Sequence, residues 1–196
     1  MATLTVFDPQ AARVQFEDRI NSLESDIKRC FVDIPGGPGP AFFPAVLYVV
    51  ATIDYFSSYW AGWNDSAGDR SKNQTVRLVG FLVKYLGYDD RASKVGVAIW
   101  RHKLMHTGEP RAVKAKITGE RFVWETGIDL RDHMKLTSTG NCNEYILRFD
   151  LHAVVSDLRR GILGTPGYLA DLCGFPDLQQ KFLDCYNEME NYTVNL

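Results

Sequence analysis

Phe16, Ile20, Leu23, Ile27 and Phe31 recur at spacings of four, three, four and four. That period fits an α-helix of 3.6 residues per turn and excludes a strand, whose faces alternate every two residues. A chain carrying such a stripe must bury it against other elements. The stripe predicts a helix over Pro9 to Phe31, with Asp8-Pro9 as its start signal. Pro35-Gly36-Gly37-Pro38-Gly39-Pro40 cannot continue it, because the prolines lack donors and the glycines permit any turn. Ala41 to Trp63 is apolar and aromatic, long enough for a helix buried on most faces. Within it the aromatic set Tyr48, Tyr55, Phe56, Tyr59, Trp60 and Trp63 reads as core.

Further helices follow. Gln74 to Leu86 places Val76, Val79, Leu82, Val83 and Leu86 on the core side, with Gly87 as a stop. Asp89 or Asp90 caps a helix over Arg91 to Met105, which Gly108 and Pro110 terminate. The pattern then changes. Ala112 to Ile117 and Arg121 to Glu125 alternate around Thr118-Gly119-Glu120, a hairpin, and Tyr145 to Phe149 is a short strand. Asp150 caps a helix through Leu163, with Leu151, Val154, Val155, Leu158 and Ile162 inward. A last helix over Asp177 to Tyr192 sets Leu178, Phe182, Cys185 and Met189 on one face. The expected fold is mainly α. It is one domain over residues 1–196, a bundle of about six helices with a small β insertion over about 111–149, between the fourth and fifth helices.

Composition narrows the class. With 45% hydrophobic and 23% charged residues, the chain has the makings of a packed core. The longest apolar run, Ala41 to Ala51, holds Pro44 and leads into Asp54, so no membrane span is expected. Met1 to Gln10 lacks the basic and apolar regions of a signal peptide, which points to the cytoplasm. Cys30, Cys142, Cys173 and Cys185 show no C-x-x-C spacing and read as buried or partly buried reduced thiols. The net charge of −2 is unevenly spread: Arg91 to Arg121 carries +6 against −8 for the rest. That segment either guides a polyanion or is a solvated basic face offset by acidic neighbours.

Four histidines are present, and two of them, His102 and His106, share a six-residue window with Arg101 and Lys103. Imidazoles move protons near neutral pH and guanidinium groups clamp phosphates. His102 and His106 lie four apart on one helix face, which also permits a two-ligand metal site, although no Glu follows His102 to make a zincin motif. A third reading is a helix end in which Arg101 pairs with a carboxylate and His106 caps carbonyls. His133, in Asp129-Leu130-Arg131-Asp132-His133, reads as a surface residue, and His152, opening a helix, as a partly buried one.

The string Ile99-Trp100-Arg101-His102-Lys103-Leu104-Met105-His106-Thr107-Gly108 resembles the R-x4–6-H motif of HEPN domains, helical-bundle proteins of toxin–antitoxin, CRISPR and phage-defence systems. The position of His102 is usually Asn or another polar residue in that family. The resemblance implies a metal-independent endoribonuclease with no cofactor, whose composite site forms between two copies. His106 would be base or acid, Arg101 the phosphate clamp and His102 a supporting group. Lys103, Arg111, Lys114 and Lys116 would hold RNA. A homodimer, and an antitoxin or other protein partner, follow from the same resemblance. A non-catalytic HEPN-like module binding a nucleotide or protein, and less so a metal-dependent hydrolase using His102 and His106, are the alternatives.

Overall fold

Helices form where most of the apolar stripes predict them. The structure, a computed structural model, describes residues 4–31, 42–62, 70–100 and 112–190. The proline–glycine break at Pro35 to Pro40 lies outside the described residues. Helix α1 spans Pro9–Cys30. The Asp8 carboxylate accepts from the N–H groups of Gln10 and Ala11, and Pro9, which has no N–H, occupies the first turn. Its stripe of Phe16, Ile20, Leu23 and Ile27 is buried, each side chain contributing about 1.5–3 kcal/mol by leaving water. Helix α2 spans Phe42–Ala61. The hydroxyls of Thr52, Ser57 and Ser58 are buried in it and donate to carbonyls of the preceding turn, so no polar group is stranded there.

Helix α3, Arg70–Phe81, runs into a π-helical turn at Leu82–Leu86 and stops at Gly87, whose φ of +74° suits glycine. The core side matches the predicted one at Val79, Leu82 and Leu86 and departs from it at Val76 and Val83. Leu78, Phe81, Leu82 and Leu86 are buried, whereas Val76 is 71% exposed and Val83 38%. The bulkier Leu78 and Phe81 take the inner face, and the wide turn puts Val83 off it. Helix α4 spans Asp90–Val97, with the Asp89 carboxylate accepting from the Ala92 N–H, and residues 98–100 continue it as π helix.

Four strands follow α4: β1 (Val113–Lys114), β2 (Arg121–Gly127), β3 (Leu136–Ser138) and β4 (Glu144–Asp150). Their order in the sheet is β1-β2-β4-β3. The β1–β2 hairpin is antiparallel as predicted, but β2 and β4 run parallel, with β3 folded back on the outer edge of β4. One face turns Phe122, Leu147 and Phe149 into the core. On the other, the parallel register sets Arg121 opposite Glu144 and Glu125 opposite Arg148, and both pairs are ion pairs.

Asp150 ends β4 and caps α5, Leu151–Leu163, by accepting from the Ala153 N–H at 2.6 Å. Two helices close the chain: α6, Tyr168–Gly174, absent from the sequence prediction, and α7, Pro176–Glu190. Helix α1 packs on α2 and α5, α2 on α3 and α7, and α5 on the π-helical turn. Gly161 of α5 allows the last contact, since a Cβ there would lie 2.5 Å from the Tyr85 carbonyl oxygen. Helices and sheet share one apolar core. Five of the six expected aromatics belong to it, Phe56 and Tyr59 fully and Tyr48, Tyr55 and Trp60 at its edge, while Trp63 lies outside the described residues. Among the described residues no helix is long and apolar enough to cross a membrane.

Candidate functional site

Trp100 leads the chain into the predicted motif. Its indole is 2% exposed and lies 4.4 Å, centroid to centroid, from the Phe149 ring of β4. It also covers Gly96 one turn earlier, where a Cβ would come within 2.8 Å of the indole. Helix α4 and the sheet therefore clamp the residue just before Arg101. Arg101, His102, Lys103, His106 and Arg111 lie outside the described residues. Lys114 on β1 and Lys116 in the hairpin turn are both exposed. Among the described residues no group of three His, Cys, Asp or Glu side chains could hold a metal ion.

The basic segment is less bare than its sequence. Arg91 pairs with Glu120 at 2.6 Å, Lys94 with Asp90 at 2.6 Å, and Arg121 with Glu144. Arg91 also lies over the rings of Phe122 and Tyr145, tying α4 to the sheet. Hydrogen bonds from Thr118 and Arg91 hold Glu120 below the usual carboxylate range. Lys114 and Lys116 make no ion pair among the described residues. Three of the eight basic residues of the segment are thus paired with carboxylates, two of which, Asp90 and Glu144, lie outside it.

The most organised polar cluster among the described residues surrounds His133, and two sequence expectations fail here. His133 is not a surface residue: its side chain is 11% exposed, between the sheet and α5. His152, expected to be partly buried, is half exposed. The reason is the connection from β2 to β3, which a polar sequence hides. Met134 is buried and its N–H donates to the Arg148 carbonyl, pulling its neighbour His133 inward. His133 Nδ1 accepts from the Asp150 N–H at 2.9 Å. That bond leaves the proton on Nε2, which lies 2.9 Å from the Tyr88 hydroxyl. Tyr88 in turn donates to Asp157 at 2.9 Å, and Arg160 pairs with the other oxygen of Asp157 at 2.6 Å. Burial pushes the His133 imidazole below its ordinary pKa, against the opposing pull of Asp157 and Asp150. Burial and Asp157 together push the Tyr88 hydroxyl up. The sequence offered Asp150 as a helix cap, but no local pattern shows that its N–H reaches His133, seventeen residues earlier.

The four cysteines are free thiols, with Cys185 buried, Cys30 half-buried, and Cys142 and Cys173 exposed rather than buried. Cys142 sits in the β3–β4 turn and Cys173 at the end of α6, both beyond the reach of the core. No protein-family model matches the chain, and neither a curated protein nor a solved structure does.

Proposed function

We propose that this chain is a HEPN-like protein that cleaves RNA without a metal, using Arg101 and His106 from two copies at a shared site. The observation that carries the reading is the placement of the Arg-x4-His string directly after Trp100, the buried anchor between α4 and the sheet. Residues 98–100, which lead into the string, are wound as π helix. The mainly helical scaffold agrees with the resemblance. In this reading one imidazole removes the proton of an RNA 2′-hydroxyl, a second protonates the leaving oxygen, and the arginines hold the charge that builds on phosphorus. His102 supports them, and Lys103, Arg111, Lys114 and Lys116 hold the strand.

The test is cleavage of single-stranded RNA by the purified chain in the presence of a chelator. His106→Ala and Arg101→Ala should each slow it by about 100-fold or more. Unchanged rates in both variants would remove these residues from the chemistry. Sedimentation at micromolar concentration should report a dimer.

One observation favours a second reading, a non-catalytic module of the same kind that holds a nucleotide or a protein partner. Folding pairs Arg91, Lys94 and Arg121 with carboxylates, so these three cations are already neutralised before any RNA arrives. Binding of RNA or nucleotide without cleavage, unchanged in His106→Ala, would select it.

A further inference from the structure

The connection from β2 to β3 holds three non-glycine residues in the left-handed region, Asp129, Asp132 and Met134, with φ of +57°, +58° and +53°. Such backbone is strained and persists where surrounding contacts over-determine it. The contacts are those around His133. Asp150 supplies two of them, its N–H to His133 Nδ1 and its carboxylate to the Leu130 N–H at 2.6 Å. Tyr88, just past the π-helical turn, and Asp157 of α5 supply the rest through the hydroxyl relay. One imidazole thus joins the sheet, the entry to α5 and the exit from the π-helical turn.

We propose that His133 is an acid-sensitive latch between the sheet and the helices, closed while the imidazole is neutral and released when Nδ1 takes a proton. Nδ1 is the only ring nitrogen with a free lone pair, and the Asp150 N–H already points at it. A proton there sets N–H against N–H, so the bond to Asp150 must break. The charged and titratable groups facing the ring are Asp157 and Arg160 from α5, Asp150 from the β4–α5 junction and Tyr88. Its own connection adds Asp129, Arg131, Asp132 and Lys135, all exposed. Asp157 lies 3.8 Å from Nε2 and favours a charged ring, but Arg160 already pairs with it. Phe149 packs against the ring at 5.7 Å and against Trp100 at 4.4 Å, so opening the latch also loosens the anchor of the α4 end.

The sign follows from linkage. A histidine whose folded-state pKa lies below its unfolded value of 6.5 binds fewer protons when folded. Stability is then full above pH 6.5 and falls as the pH drops toward the folded pKa, with uptake of up to about one proton on opening. The latch does not depend on Arg101 or His106.

The experiment is NMR titration of the histidine rings of the full chain, with amide exchange at Asp150 and Met134 expressed as protection factors. His133 should carry its proton on Nε2 and titrate below 6.5, and protection at both amides should fall through that midpoint. In His133→Asn the side-chain oxygen can still accept from Asp150 but cannot titrate, so the fall should vanish. A His133 midpoint at or above 6.5, or an unchanged fall in His133→Asn, would overturn the proposal. Should that variant not fold, the wild-type ring titration decides alone.

Discussion

Asp150 shows how much one side chain can organise. Its carboxylate accepts from the Ala153 N–H to begin α5 and from the Leu130 N–H to hold the strained connection, while its own N–H reaches His133. It is 3% exposed, so water cannot replace these bonds. Asp150→Ala removes a helix cap worth about 1 kcal/mol and strands the Leu130 N–H at a further 1–2 kcal/mol or so. The expected loss is about 2–3 kcal/mol in urea unfolding, and Asp150→Asn, which keeps a cap oxygen, should lose less. The sequence identified Asp150 as a cap from its place before an apolar run. Its second role was invisible there, since Leu130 is twenty residues away and the sign of a shared carboxylate is only spatial.

Among elements, the contact of α5 with the π-helical turn is the least forgiving. Gly161 brings the two backbones together, and a methyl group at that position meets a carbonyl oxygen rather than a side chain that could move aside. Gly161→Ala should therefore destabilise the chain by about 1–3 kcal/mol, read as a lower midpoint in thermal or urea unfolding. The same substitution at Gly174, where a Cβ would meet nothing within 4 Å, is the control for helix propensity. The π-helical turn bears on Val83 alone: a helix drawn with a constant 3.6-residue period carries Val83 inward, whereas the wider turn leaves it 38% exposed.

Over the whole molecule, charge is the property that folding changes most. The basic segment is a run of cations when read along the chain, yet the sheet and α4 supply carboxylates to three of them. Lys114 and Lys116 remain exposed on the β1 hairpin. If they track a single strand of RNA, replacing both by Ala should weaken binding equally for all sequences. It should also reduce the slope of log K against log salt by about 1.4, or about 0.7 per lost phosphate contact. A slope unchanged by the double substitution would place the strand elsewhere.

The amino-acid sequence by itself determined the helical class, the start of α1 at Asp8, the stop at Gly87, the cap at Asp150 and the position of the β unit after α4. Each of these is a local matter of side-chain period, a missing N–H or a permitted φ. Tertiary structure alone decided that β2 lies parallel to β4, that β3 sits at the edge, that a polar-looking histidine is buried, and that Arg91 and Arg121 of the basic run meet carboxylates. Those outcomes depend on which groups from distant parts of the chain compete for the same space and the same hydrogen bonds, and a one-dimensional pattern carries no record of that competition.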